Sequence, residues 1–359
     1  MMLRIDRRLL LHFDWVLAGL AGLLVGAGVL TLWSLVPRLA ARQALWVGVG
    51  VAGALVIISF DYRTLARWAA LGYVAGLGVL AAVLMLGRTA QGARRWLALG
   101  PLTLQPSELF KLVLIVTLAQ YLASREDHRP GWDRVVVPLC LVLPAILLIV
   151  KQPDLGTGLV LLPVVAALVF VGGARWRDLG FVAGAGVAIA PAFWFVLHDY
   201  QRERILVYLD PLRDPLGSAW NVIQAKITIG SGQLWGKGLF GGTQSRLAFL
   251  PERHTDFIFA AFAESWGFVG AMGLLAIYGV LALRGLEVAA TARDALGSLL
   301  ATGATVLLVS QALVNLGMVT GLLPVVGIPL PMVSYGGSAL LTALGAVALI
   351  ENVRMRRFA

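Results

Sequence analysis

The sequence predicts an all-α integral membrane protein: about ten transmembrane helices in a single polytopic domain covering residues 1–359, with one long extracytoplasmic loop at 199–255. Three observations predict it. Of 359 residues, 59% are hydrophobic and only 13% charged, about half the charged share of a soluble globular chain. Mean hydropathy is +0.85, which leaves too little polar surface to cover several packed cores in water. Apolar runs long enough to cross a bilayer recur along the whole chain, and only a helix satisfies every backbone polar group there without water. An ordinary cytosolic enzyme is excluded.

The runs fall at residues 15–35, 44–60, 68–86, 109–123, 135–150, 155–171, 179–197, 257–283, 296–316 and 332–350. The first follows Arg4, Arg7 and Arg8, but its apolar core exceeds that of a signal peptide and reads as an uncleaved helix. Lys and Arg number about 15 in the loops on the N-terminal side and about 6 in the short loops opposite, so the positive-inside rule places both termini in the cytoplasm. The long loop holds about 7 more and is too long to vote. Net charge is +10, with 25 arginines against 4 lysines in short clusters between apolar runs. That pattern suits loops beside anionic lipid, not a nucleic-acid face. The single Cys140 allows no intramolecular disulfide, and four scattered histidines lack metal-ligand spacing.

Ionisable residues near membrane depth need a partner, a cap or a wet cavity. Gln105-Pro106-Ser107-Glu108 opens the fourth run, with Lys111 three residues after Glu108 on the same helix face. Lys151-Gln152-Pro153-Asp154-Leu155-Gly156-Thr157 opens the sixth in the same style. His254-Thr255-Asp256-Phe257 opens the eighth, where Thr255 or Asp256 is placed to cap the helix. Capping explains each alone. Together they put Glu108, Asp154 and Asp256 at the outer ends of three helices, which also fits a polar pocket.

The long loop is rich in glycine from Ile229 to Ser245, and residues 222–229 suit a short amphipathic helix on the membrane with Lys226 toward lipid phosphate. Arg88, Arg94 and Arg95 with Trp96 form another outer basic segment. It fits a pyrophosphate head group, though interfacial snorkelling accounts for the same residues. Between Asn315 and Ser338, three prolines and several glycines forbid a continuous helix, so a re-entrant or tightly folded outer loop is expected.

That last segment resembles the signature of the shape, elongation, division and sporulation family of RodA/FtsW-like proteins, in Asn315, Gly321, Pro324, Gly327 and Ser334-Tyr335-Gly336-Gly337-Ser338. The resemblance extends to Gly92-Ala93-Arg94-Arg95-Trp96, Gln105 to Glu108, Gln152 to Thr157, and Gly242-Thr243-Gln244-Ser245 through Ala260. The Gly-Thr-Gln-Ser block is more similar to the elongation branch than to the division branch. The resemblance implies a peptidoglycan glycosyltransferase that polymerises lipid II at the outer membrane face beside a class B penicillin-binding protein, with other cell-elongation membrane proteins as further partners. It assigns an essential aspartate to Asp256 and cavity residues to Glu108, Lys111, Asp154 and Ser334. Glu264-Ser265 departs from the family pattern, where a second acid is expected beside the first.

The chemistry expected is attack of a sugar hydroxyl on an anomeric carbon, with Asp256 as general base. Lys111, Arg94 and Arg95 would offset charge on the departing pyrophosphate, a task a divalent cation could share. The rival from another class is a lipid II flippase, since broken helices and intramembrane charge are also transporter features. A scaffold that recruits a penicillin-binding protein is a third.

Overall fold

The structure is a computed structural model describing residues 12–90, 93–99, 102–125, 131–195, 199–210, 214, 219–245 and 250–358. Arg4, Arg7 and Arg8, and the side chain of Arg94, lie outside the described residues.

Helix α1 (Trp15–Leu35) starts where the Asp14 carboxylate accepts from the amides of Val16 and Leu17, both at 3.1 Å, as an N-cap does. Helix α2 (Pro37–Ser59) follows with proline in its first turn, where its missing N–H costs nothing. A short α3 (Tyr62–Arg67) leads to α4 (Ala69–Leu86). The polar segment after α4 folds into a three-stranded antiparallel sheet, β1 (Arg88–Ala90), β2 (Ala93–Leu99) and β3 (Leu102–Leu104), ordered β1-β2-β3. This small sheet is an addition to the helical architecture that the sequence predicts.

Then come α5 (Pro106–Ala123), α6 (Asp133–Lys151), α7 (Leu155–Val171) and α8 (Trp176–Phe193). Within the long loop lie α9 (Asp199–Leu209) and α10 (Trp220–Ser231). A helix thus covers the segment expected at 222–229, with the Lys226 side chain beside Gly321. The chain ends with α11 (Ile258–Ala290), α12 (Ala295–Thr320) and α13 (Gly337–Met355). Every predicted run coincides with a helix. Among the described residues eight of them, α1, α2, α4, α5, α6, α11, α12 and α13, are long and apolar enough to cross a membrane, and α7 is a shorter apolar helix.

The centre of the bundle is α5, α12 and α13, whose apolar windows are 61%, 67% and 83% buried, against 17% for α2 and α4, which turn their side chains outward. Without a water-driven hydrophobic effect between helices in lipid, small residues must let backbones approach. Gly303 of α12 does this: a Cβ there would stand 2.7 Å from Ile115 of α5 and 3.2 Å from Leu168 of α7. At one end of the bundle Tyr62 and Arg63 bind Asp294, and Asn352 bonds to the carbonyls of Ile57 and Phe60. The other end gathers the β-sheet, the α6–α7 turn, the segment after α10 and the irregular 321–336 stretch.

Helix α11 is interrupted. Gly267 sits at φ 67° and ψ −168°, backbone that only glycine adopts without strain. The carbonyls of Glu264 and Ser265 accept from the amides of Lys237 and Gly238, at 3.0 Å each, while Phe268 and Val269 donate to the carbonyls of Gln233 and Leu234 at 2.7 and 3.1 Å. The loop after α10 therefore takes over the hydrogen bonds that the helix gives up. Four backbone groups at the break are satisfied in this way, which helps it persist.

Candidate functional site

Asp154 caps α7. Its carboxylate accepts from the Thr157 amide (3.3 Å) and hydroxyl (2.9 Å), from Gln105 Nε2 (2.8 Å) and from Ser107 Oγ (3.3 Å), with Arg95 Nη1 at 3.8 Å. The capping role expected of Asp154 is therefore real, and the same group ties the start of α5 to the start of α7. The Gln105 amide in turn donates to Ser338 Oγ on α13 at 2.8 Å. Glu108 and Lys111 form a buried ion pair at 2.7 Å. Among the described residues, Glu108 Oε2 has no hydrogen-bond partner, and neither residue bonds to Asp154, Asp256 or Ser334.

Asp256 is different. It does not cap α11, which begins at Ile258 with Phe257 at the N-cap position and no side-chain capping bond. The amides of Thr255 and Phe257 instead donate to the Glu252 carbonyl, at 3.1 and 3.2 Å, closing a turn just ahead of the helix. That turn holds Glu252 at φ 50°, a region non-glycine residues rarely occupy. Asp256 is fixed through its backbone: Asn315 Nδ2 donates to its carbonyl at 2.8 Å and to that of Ile328 at 2.7 Å. Among the described residues its carboxylate accepts no hydrogen bond. Gly327, at φ 73°, runs so close that a Cβ there would lie 3.3 Å from Asp256 Oδ2.

Burial and the nearby Glu252 carboxylate push Asp256 up to about 6, against the pull of Arg95 and Arg204. Asp154 adds a smaller push in the same direction. The structure thus brings Asp256, Asp154 and Arg95 within electrostatic reach of one another and adds Arg204, whose Nη1 also donates to the Val325 carbonyl at 3.1 Å. Sequence reasoning passed over Arg204, one of seven basic residues in a long loop with nothing local to mark it.

Ser334 lies three residues before the start of α13, not inside the helix as the predicted run 332–350 has it, because Gly336 and Gly337 delay the helix. Its hydroxyl donates to the Thr255 carbonyl (2.6 Å) and accepts from the Leu330 amide (2.8 Å). The Tyr335 amide donates to the His254 carbonyl at 2.9 Å. Gln43 of α2 completes the brace, donating to the Ser334 carbonyl at 3.0 Å and accepting from the Gly336 amide at 3.3 Å. Ser334 is a strut that holds the backbone on either side of Asp256.

Glu264 is the residue whose place the sequence left open. It is fully buried, and its carboxylate accepts from Lys237 Nζ (2.9 Å), the amides of Thr243 (2.9 Å), Gln244 (3.0 Å) and Ser245 (3.0 Å), and Ser245 Oγ (2.7 Å). One carboxylate on α11 thus folds the Gly-Thr-Gln-Ser block around itself. A signal existed: an acid inside an apolar run demands donors, and the nearest unexplained donors were Lys237 and the glycine-rich loop. Arg253 carries the order onward by donating to the Ser245 carbonyl.

Beside these residues runs a groove of about 510 Å³, lined by Val36, Arg38, Leu39 and Arg42 on one wall and by Leu250 to His254 on the other. Asp256, Asp154, Glu108 and Lys111 are not in its walls.

A helical bundle with membrane-spanning apolar helices, and at its polar end a carboxylate that accepts no hydrogen bond among the described residues and feels the charge of two guanidinium groups, defines a polytopic membrane protein with a charged site. The cell cycle protein family of FtsW, RodA and SpoVE matches residues 10–358, and the chain belongs to that family. It is 42% identical over 312 residues to the peptidoglycan glycosyltransferase MrdB of Escherichia coli K12, covering 87% of this chain and 84% of that protein. Stage V sporulation protein E of Bacillus subtilis is 40% identical over 318 residues, covering 88% and 86%. Among solved structures, the rod shape determining protein RodA of Thermus thermophilus superimposes with a TM-score of 0.74 at 35% identity, covering 97% of this chain and 98% of that one. A chain of a peptidoglycan synthase complex, solved for its coordination of polymerization and crosslinking, gives 0.83 at 38% identity, covering 96% and 98%.

Proposed function

We propose that this protein is a peptidoglycan glycosyltransferase that polymerises lipid II into glycan strands during cell elongation, with Asp256 as general base. The observation that carries the reading is the Asp256 carboxylate: half-buried, held by its backbone, free of hydrogen bonds among the described residues and shifted up to about 6. A group with that affinity for protons is matched to accepting one near neutral pH.

The reaction forms a bond between the 4-hydroxyl oxygen of one N-acetylglucosamine and the anomeric carbon of an N-acetylmuramic acid. The bond from that carbon to the lipid pyrophosphate breaks, and its electron pair leaves with the phosphate oxygen. The hydroxyl proton passes to Asp256, worth roughly 10²–10⁴-fold in rate. Arg95 and Arg204, already drawn toward Asp256, are placed to offset the charge that builds on the leaving group. Arg94 and Lys111 are further cations for that task, and Glu108 holds Lys111 in place through their 2.7 Å pair. The described residues contain no group of three or more His, Cys, Asp or Glu side chains placed to hold a metal ion. A divalent ion fits best as one carried mainly by the substrate phosphates, with Asp256 a carboxylate that could complete its ligands, and it would neutralise phosphate charge.

The site belongs at the extracytoplasmic face of the bacterial inner membrane, with both termini in the cytoplasm, as the distribution of Lys and Arg favours. A class B penicillin-binding protein is the expected partner, supported by the similarity to a chain of a peptidoglycan synthase complex.

The test is polymerisation of lipid II by purified protein, with and without that partner, read as glycan length on a gel. Wild type is expected to build glycan and Asp256→Asn to lose at least about 100-fold with a melting temperature no lower than that of wild type. Full activity of the variant ends the general-base proposal. Movement of lipid II across liposomes without any glycan product would replace the enzyme by a flippase.

A further inference from the structure

The end of the bundle away from Asp256 carries a second groove that the proposed chemistry does not use. Helix α7 starts at its Asp154 cap and rises about 25 Å over its 17 residues, so it leaves the bundle close to one hydrocarbon thickness from the charged site. Between its end and the start of α8 lies a concavity of about 670 Å³, lined by Phe170, Gly173, Arg175, Trp176, Arg177 and Asp178.

The groove is preformed. The amides of Gly172 and Ala174 donate to the carbonyls of Leu168 and Val169 at 2.7 and 3.1 Å, and those of Asp178 and Leu179 to the Arg175 carbonyl at 2.9 and 3.2 Å. The chain turns at Gly173, φ 83°, where a side chain would collide with Arg134 Nη1. Arg134, buried at the start of α6, donates to the Gly172 carbonyl at 2.7 Å and to the Arg125 carbonyl, tying the ends of α5 and α7 together. The Trp132 and Phe181 rings meet edge to face at 5.6 Å and bring the base of α8 into the same corner.

Its charge is unbalanced. Arg175 and Arg177 are both exposed. Among the described residues the Arg175 guanidinium has no hydrogen-bond or ion-pair partner, and that of Arg177 lies over the Trp176 ring, 5.7 Å from its centre. The one acid in the lining, Asp178, is buried in the first turn of α8, where the positive end of the helix offsets it. Around the two cations the large rings face outward: Trp176 is 74% exposed, Phe181 67%, Phe170 61% and Trp132 51%. Exposed rings beside guanidinium groups suit the head-group layer of a bilayer, not water. Snorkelling alone puts arginines at this depth, but it requires no rigid concavity beside them.

We infer that this groove is a binding site for an anionic phospholipid of the surrounding leaflet, with the phosphate against Arg175 and Arg177 and the acyl chains along Phe170 and Phe181. Basic pockets between membrane helices take such head groups, and guanidinium forks match phosphate oxygens. The lipid steadies the foot of α8, most of whose residues face outward, and α8 is the helix that leads into the loop carrying Arg204. With the Asp256 end extracytoplasmic, as proposed above, the leaflet is the cytoplasmic one; binding itself does not depend on that reading.

The experiment titrates full-length protein in detergent with phosphatidylglycerol, phosphatidylcholine or glycerol phosphate and counts bound molecules by native mass spectrometry. Wild type is expected to bind phosphatidylglycerol about tenfold more tightly than phosphatidylcholine, and R175Q/R177Q to lose that preference with an unchanged melting temperature. R284Q/R293Q, which removes two arginines near the far end of α11, is the control and should keep it. A preference that survives in R175Q/R177Q overturns the inference. An equal loss in R284Q/R293Q overturns it as well, since the attraction would then be spread over the whole basic surface. Glycerol phosphate binding as tightly as phosphatidylglycerol would make the groove a site for free anions instead. No lipid II enters the assay, so a wild type that makes no glycan sinks the polymerase reading and leaves the lipid result standing.

Discussion

Asp256 and Glu264 flank the first two turns of α11, yet their surroundings have almost nothing in common. Glu264 is sealed from solvent, and both its oxygens are filled by an ammonium, three backbone amides and a hydroxyl. Among the described residues Asp256 keeps both oxygens clear of hydrogen bonds and is held through its carbonyl. Hydrogen bonds to a carboxylate stabilise its charged form and consume its lone pairs, so the saturated group is fit to organise a loop and the vacant one to take a proton. The contrast also shows how one helix start does both. The break at Gly267 hands the backbone bonds of Glu264 and Ser265 to residues 237 and 238, which makes the loop and the first turns of α11 a single unit with Asp256 at its edge.

The largest effect that would break this comparison is on catalysis. Replacing Asp256 by Asn keeps size and shape and should cut glycan synthesis by about 10²–10⁴-fold, whereas Glu264→Ala should act first on stability. Removing Glu264 leaves the partly exposed Lys237 and three amides without their acceptor, a loss on the order of 1–3 kcal/mol. Thermal unfolding in detergent measures it. A Glu264→Ala protein as stable as wild type would mean that the loop does not depend on that carboxylate.

The fold was largely legible because bilayer-length apolar runs leave one solution, and each of the ten predicted runs meets a helix. The site was legible in part. Pro-acid helix openings pointed correctly to Asp154 as a cap, but the same local rule misplaces Asp256, since the turn closed on Glu252 displaces the cap to Phe257. Only coordinates reveal that, because Glu252 adopts φ 50°. Glu264 escaped because its partners lie 19 to 33 residues upstream, beyond any helix periodicity. Arg38, Arg42 and Arg204 read in sequence like other interfacial arginines. What distinguishes them is the long-range arrangement of the wall at 250–256. The sheet at 88–104 was missed because two of its strands are three residues long, too short for alternation to register.

A smaller effect separates the two acids by pH. If Asp256 must be ionised to accept a proton, kcat/KM should be flat above about pH 6 and fall close to tenfold per unit below it. Steady-state polymerisation between pH 5 and 8, in protein shown to stay folded across that range, tests this. A plateau extending to about pH 4 would place the essential group elsewhere, for the ordinary aspartate value is 3.8.

The smallest effect concerns stability, and it runs against the usual intuition about removing a charge. Asp256 holds its proton more tightly in the folded protein, at about 6, than its ordinary value of 3.8. Between those values the unfolded chain binds fewer protons than the folded one, so stability falls as pH rises through the window and the deficit is complete above about 6. At pH 7.5 the ionised carboxylate therefore works against folding, and Asp256→Asn should stabilise the protein, by an amount on the order of 1 kcal/mol once partial solvent access is allowed for. At pH 4, where the folded-state carboxyl is already protonated, the gain should vanish. Melting curves of wild type and variant at the two pH values decide it. A variant less stable at pH 7.5 would show that the carboxylate is held by favourable contacts, as Glu264 is, and would remove the physical basis for treating it as a base in waiting.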